Sequence, residues 1–162
     1  MNRLIVSVAA VSAVLTSLAA PKANAQTTKD LVGTWTLVSS VISQGGSAID
    51  TFGPNPTGTA IFGSDGHYAL IFLRRDLPKV ASGNRLSATP DEALAIARGS
   101  IATFGTYTVD DKAIVLRIQS ATFPNWNGAE QRRPFSLSGD ELTYTSPGTT
   151  GVPTQVTLRR VK

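Results

Sequence analysis

The feature that most constrains this chain is the alternation of short and long connections between its strand-like runs. From Leu31 onward the sequence breaks into short runs rich in Val, Ile, Thr, Tyr and Phe, divided by clusters of Gly, Pro, Asn and Asp, which is an all-β pattern. There are eight such runs, at about 33–43, 58–63, 67–74, 103–109, 113–121, 130–137, 141–146 and 154–161. Gly63-Ser64-Asp65-Gly66, Asp110-Asp111-Lys112 and Ser138-Gly139-Asp140 are tight connections of hairpin type, whereas those at 44–57, 75–102, 122–129 and 147–153 are long. In an up-and-down order every second connection falls at the same end. The tight turns therefore gather at one end and the long loops at the other. Eight antiparallel strands can close on themselves and lose their edges, and eight is about the number whose interior is filled by side chains or holds one small ligand. The expected fold is an all-β, eight-stranded antiparallel up-and-down β-barrel, a cup with a closed floor and a mouth ringed by four loops.

One short helix is expected between the third and fourth runs, from Pro90 to about Ile101. Thr89 is a natural N-cap, Pro90 suits the first helical position, and Asp91-Glu92 fall where the helix dipole favours negative charge. Ala93, Leu94, Ala97 and Ile101 recur at helical spacing, so the helix is expected to pack on the barrel flank or over the mouth.

Residues 1–25 read as a cleavable signal peptide. Asn2-Arg3 supplies a positive start, Leu4 to Ala20 is an uncharged apolar run, and Ala23-Asn24-Ala25 is a small-x-small cleavage site, so cleavage after Ala25 leaves Gln26 first. An uncleaved anchor is the alternative, since about 17 apolar residues approach the roughly 20 that span a bilayer. Pro21 and the cleavage motif follow at once and weigh against it. The expected location is the periplasm or the outside of the cell, with residues 26–162 as one barrel domain and no stable membrane insertion. About 137 residues can bury a single core without staples, which agrees with the absence of cysteine. Arg3 and Lys22 fall in the signal segment, so the 15 Lys and Arg become 13 against 11 Asp and Glu, and a net charge of +4 becomes +2. Arg74-Arg75, Arg132-Arg133 and Arg159-Arg160 are adjacent pairs, and a strand sends the two members of each to opposite faces. That makes no stripe for a phosphate backbone, and no nucleic-acid partner is expected.

Alternation also sorts the interior. Ile114, Leu116 and Ile118 share one face of their run, Phe135 and Leu137 of the next, and Leu142 and Tyr144 of the seventh. By the same parity Arg133 points inward, which is costly unless it is paired, and no inward acid is evident on neighbouring runs. Arg74 shares a face with Leu70 and Phe72, near the mouth. A cation over an apolar cup would suit an amphipathic anion such as a fatty acid or another hydrophobic carboxylate; hydrogen bonding to loop carbonyls is the alternative. Phe52, Phe123 and Trp126 sit on connections otherwise exposed to water, either capping the core or gating a ligand. His67 is the sole histidine and follows a tight turn, which places it at the floor as a hydrogen-bonded structural residue. With one histidine, no cysteine and dispersed carboxylates, no metal site and no cofactor are indicated. No nucleophile-elbow sequence is present, and no catalytic residue is assigned.

Leu31-Val-Gly-Thr-Trp35, Phe52-Gly-Pro-Asn-Pro56, Gly63-Ser-Asp-Gly-His67, Phe104-Gly-Thr-Tyr-Thr-Val109 and Phe123-Pro-Asn-Trp126, in this spacing, resemble the small bacterial and fungal lipocalin-like domain family. The resemblance runs from about Leu31 to the C-terminus and implies an eight-stranded barrel with a helix on its flank. It further implies that the first strand starts, and the last ends, at the floor, so that Arg160 lies across the Trp35 indole and plugs that end. Many relatives carry a His-His pair and an acidic residue before the Phe-Pro-Asn-Trp loop. Leu116, Arg117 and Gln119 stand there in this chain, which would remove any chemistry of that pair.

The preferred functional reading is a non-catalytic barrel that binds one small hydrophobic or amphipathic molecule at its open end. Its candidate ligand-binding residues are Phe52, Phe72, Arg74, Tyr107, Leu116, Ile118, Phe123, Trp126, Arg133, Phe135 and Tyr144. Two alternatives stand beside it. One is a cofactor-free isomerase or cyclase acting by enclosure and by Tyr or Arg electrostatics. The other is a protein-interaction or inhibitor domain using the long loops.

Overall fold

The computed structural model describes residues 26–110 and 112–162; the signal-peptide reading of residues 1–25 lies outside the described residues, as does Asp111 of the second tight turn. The strands are β1 (Gly33–Gln44), β2 (Ser47–Asp50), β3 (Thr57–Phe62), β4 (His67–Leu73), β5 (Ser100–Asp110), β6 (Ala113–Ala121), β7 (Glu130–Ser138), β8 (Glu141–Ser146) and β9 (Thr154–Arg160), with helices α1 (Thr28–Leu31) and α2 (Pro90–Arg98). Among the described residues they form one antiparallel sheet in the order β2-β1-β3-β4-β5-β6-β7-β8-β9, and pairing of β1 with β9 closes it. This is the expected eight-stranded up-and-down barrel, built from β1 and β3 to β9, with one strand added.

The added strand corrects the reading of 44–57 as an unbroken loop. Gly45 and Gly46 both take left-handed backbone (φ 59° and 79°), which makes a two-residue hairpin, and β2 folds back on the upper half of β1. β1 thus pairs with β3 through Gly33–Thr36 and with β2 through Val41–Gln44, while β9 runs along its other side. A bulge between Leu37 and Ser39 resets the alternation of β1: Trp35 and Leu37 point inward below it, Ser40 and Ile42 above it. A second bulge, between β5 and β6, lies beside Gly105, where a Cβ would stand 2.0 Å from the Arg117 carbonyl oxygen. Only glycine fits there.

The helix starts as expected and ends earlier. Thr89 Oγ1 accepts from the Glu92 amide at 3.3 Å, while Glu92 returns the bond to the Thr89 amide at 2.8 Å and also accepts from the Ala81 amide at 2.9 Å. Gly99 caps the C-terminus, and Ile101 belongs to β5, where it is buried in the core. The expected stripe is displaced as well: Leu94 is 46% exposed, and Ala93 and Ala97 face solvent, while Ala95, Ile96 and Gly99 turn toward the protein. The cause is close approach at Gly99, where an added Cβ would meet Leu77 at 2.6 Å and Arg74 at 2.9 Å. The outer wall carries ion pairs, Arg117–Glu130 at 3.0 Å and Arg132–Asp110 at 2.6 Å. No helix among the described residues is long and apolar enough to cross a membrane.

The floor is fully packed. Trp35 is 0% exposed and its Nε1 donates to the Leu31 carbonyl at 2.9 Å; Arg160 lies over the indole at 4.2 Å. The Arg160 guanidinium donates to the Val32 carbonyl at 2.7 Å and the Asp30 carbonyl at 2.5 Å, tying α1 across the base of the barrel. Tyr107 completes the plug from the other side, its hydroxyl donating to the Gly63 carbonyl at 2.9 Å and its ring edge-on to Phe62 at 4.9 Å. Every polar group named here has a partner.

Candidate functional site

At the other end the barrel is not filled. A cavity opens under the long loops, with an empty volume of about 440 Å³ counted to its opening, of which about 60 Å³ admits the centre of a water-sized sphere. One water needs roughly 10–15 Å³ on the latter measure, so the space exceeds a single water site. One wall is apolar and aromatic: Phe52, Leu70, Phe72, Ile101 and Trp126. Phe52 meets Phe72 edge-on at 6.3 Å, and Trp126 is held edge-on to Phe123 at 5.6 Å by the one-turn 3-10 helix Pro124–Trp126. The other wall is made of hydroxyl-bearing residues, Ser40, Thr51, Ser146, Thr149 and Thr154. Ser40 reaches it only because the β1 bulge turns it inward, and Thr51 Oγ1 donates to Ser40 Oγ at 2.6 Å, fixing the chain after β2 to the rim.

Arg133 and Tyr144 stand between these walls. Arg133 is 3% exposed, and its guanidinium lies 5.3 Å from the Tyr144 ring and 5.7 Å from the Trp126 ring. Its Nε and Nη2 both donate to one neutral acceptor, Gln131 Oε1, at 3.2 and 2.7 Å. Among the described residues it forms no ion pair, although a guanidinium has five N–H donors. The Tyr144 hydroxyl, fully buried, has no hydrogen-bond partner among the described residues. Burial pushes its pKa up, and the charge of Arg133 and a polar contact from its guanidinium, longer than a hydrogen bond, only partly oppose this, so the phenol keeps its proton at physiological pH. A buried cation with only a neutral partner and an orphaned hydroxyl beside it are both uncommon, because each forfeits solvation that the fold does not replace.

Of the residues singled out in the sequence, the fold brings Phe52, Phe72, Trp126, Arg133 and Tyr144 together in the cavity wall. Phe123 stands behind Trp126 rather than facing the cavity. Leu116, Ile118 and Phe135 are buried core beside the cavity but do not line it. Tyr107 belongs to the floor. Arg74 departs furthest from its expected inward position: β4 ends at Leu73, and Arg74 binds Asp76 outside the barrel through two bonds of 2.9 Å. An aspartate two residues on captures the guanidinium once the strand no longer dictates its direction. Ser146, Thr154 and Val156 were not singled out, although parity with Tyr144 and Leu158 would have found them. Ser40 had no such signal, since a bulge resets parity.

His67 lies at the floor, exposed, with its ring 3.2 Å from Asp65. Among the described residues no three His, Asp or Glu side chains gather as a metal site. A family model described as a lipocalin-like domain matches residues 32–157. No curated protein matches the chain.

Proposed function

The chain belongs to the lipocalin-like domain family, and from that premise we propose that it is an exported barrel that binds one small, largely apolar or amphipathic molecule in its cup. The observation that carries this reading is the contrast within the cavity: the aromatic side chains of Phe52, Phe72 and Trp126 line it together with Arg133, whose guanidinium is bonded only to a neutral amide oxygen among the described residues, and with the Tyr144 hydroxyl, which has no hydrogen-bond partner among them. Mostly apolar lining with a few convergent polar groups is the usual composition of a small-molecule site. Among the described residues Arg133 is the one charged residue of the lining, which includes no carboxylate, histidine or lysine to act as a base. That composition favours binding over acid–base catalysis. The basic start, apolar run and Ala23-Asn24-Ala25 of the N-terminal segment support export to the periplasm or beyond, with cleavage after Ala25.

Native mass spectrometry of the protein purified from its own cells tests the binding proposal, with a co-purifying small molecule as the expected result. An empty protein that also fails to bind any member of a panel of lipids and aromatic compounds in calorimetry would end it. N-terminal sequencing of the secreted or periplasmic form tests export, with Gln26 as the expected first residue.

A further inference from the structure

Resting on the binding function just stated, we propose that the occupant is a small hydrophobic monocarboxylate that enters carboxylate first and seats it on Arg133 and Tyr144. Three observations define this ligand. The first is charge. Arg133 is nine-tenths buried and more, and among the described residues its only acceptor is the amide oxygen of Gln131 and no other charged side chain lines the cavity. One uncompensated positive charge calls for one negative charge, so a monoanion matches where a dianionic phosphate leaves a net charge buried. Two aromatic rings lie 5.7 and 5.3 Å from the guanidinium carbon, and the N–H edge of a guanidinium is suited to a planar, two-oxygen acceptor.

The second observation is the Tyr144 hydroxyl. It is a buried neutral donor without a hydrogen-bond partner among the described residues, within the same group of side chains, and a carboxylate has lone pairs to satisfy it together with Arg133. The third is depth and size. Arg133 pairs through its backbone with Ile114, next to the floor end of β6, and its side chain reaches mouthward to Gln131. The charged end of the ligand is therefore the buried end, and its apolar part lies along Phe52, Phe72 and Trp126 toward the opening. About 60 Å³ of the cavity admits the centre of a water-sized sphere, room for only a few waters, so it takes a single aromatic ring or a short aliphatic chain rather than a long fatty acid.

The test is calorimetric titration of the protein, purified after expression of the full chain, with phenylacetate, hexanoate, palmitate and the primary amides phenylacetamide and hexanamide. Each acid is expected to bind about 10- to 100-fold tighter than its amide, the range for a hydrogen-bonded charge. Palmitate is expected to bind no tighter than hexanoate. In Arg133→Met the preference for acid over amide disappears while amide binding persists; in Arg133→Lys, a second variant that keeps the charge, part of the preference returns. Equal binding of acid and amide by the wild type, or a preference that survives Arg133→Met, overturns the carboxylate proposal and leaves the binding function standing. Failure of all five probes to bind overturns the carboxylate proposal, and the binding function then falls with it only if native mass spectrometry also finds the protein empty.

Discussion

The two ends of the barrel each hold an inward arginine against an aromatic ring, and the difference between them is what separates scaffold from site. Arg160, at the floor, sits 4.2 Å over Trp35 and donates to two backbone carbonyls that belong to the segment it fastens. Arg133, under the mouth, lies 5.7 Å from the Trp126 ring and 5.3 Å from the Tyr144 ring, and among the described residues donates only to the side chain of Gln131, on its own strand. The floor arginine spends its donors on the fold. The mouth arginine keeps donors that no described residue accepts, near a hydroxyl with no hydrogen-bond partner among the described residues. An arginine on an aromatic ring therefore says little by itself about function. The acceptors around it decide.

Removing Arg160 should have the largest effect. Arg160→Ala loses two hydrogen bonds from a charged donor, each worth about 1.5–3 kcal/mol when desolvated, and a cation over an indole worth about 1–2 kcal/mol. Arg160 is partly exposed, so water recovers some of this, and a net loss of about 3 kcal/mol is expected. In a domain of this size that lowers Tm by about 10 °C in calorimetry, with ligand affinity changed little. A variant that melts as the wild type does would remove the floor from the comparison.

Arg133→Met should go the other way in the empty protein. Burying a lone guanidinium costs several kcal/mol of solvation, against which its two ring contacts and one neutral acceptor return up to a similar amount. Methionine fills much of the volume and needs no partner. The variant is expected to be at least as stable as the wild type, by up to about 2 kcal/mol in denaturant unfolding. A loss of more than about 2 kcal/mol would mean that Arg133 is as structural as Arg160.

Sequence alone conveyed the architecture well and the site in part. Tight turns such as Ser138-Gly139-Asp140 and the capping residues Thr89 and Glu92 act locally, so the residues that cause them are adjacent in the chain. Parity carried Arg133, Tyr144 and Phe72 to the interior for the same reason. Where backbone irregularity intervened, the pattern misled. The bulge in β1 moved Ser40 into the cavity, the Gly45-Gly46 hairpin was concealed in a segment that read as a loop, and the end of β4 at Leu73 released Arg74 to Asp76. The contrast between Arg133 and Arg160 was also out of reach, since the acceptors that satisfy Arg160 are the carbonyls of Val32 and Asp30, some 130 residues away in sequence.

Tyr144→Phe sharpens the comparison within the mouth. The buried hydroxyl makes no hydrogen bond among the described residues, and an unsatisfied buried donor costs about 1–3 kcal/mol. Its removal should stabilise the empty protein by about 1 kcal/mol, raising Tm by about 3 °C, while weakening whatever ligand uses it. A group that destabilises the empty fold yet strengthens binding is the mark of a site held ready. If the variant instead loses stability, the hydroxyl has a partner such as bound water and the mouth is satisfied in the same way as the floor.

The smallest effect expected is that of acid on the floor. Asp30 accepts from the Thr27 amide at 2.7 Å and the Thr27 hydroxyl at 2.9 Å, and these bonds, aided by the charge of Arg160, hold its pKa below the ordinary aspartate range. A carboxylate whose folded pKa is depressed contributes stability that is fully present above its unfolded pKa, about 4, and is lost as pH falls through the folded value. Asp140, lowered by its bond to Lys162, and Asp65, lowered mainly by the His67 amide, act in the same direction and also lie at the closed end. Mouth-side Asp76 and Glu92 are lowered too, but Asp76 binds an arginine outside the cavity and Glu92 the loop before α2. Thermal unfolding of wild type and Asp30→Asn from pH 6 to pH 2.5 isolates the floor contribution. The wild type should be modestly more stable at pH 6, and the two should converge below pH 4 as Asp30 takes up its proton. A gap that persists at pH 2.5 would mean that Asp30 fastens the floor by shape rather than by charge, and that Arg160, through the backbone carbonyls of Val32 and Asp30, closes the barrel without electrostatic help from this carboxylate.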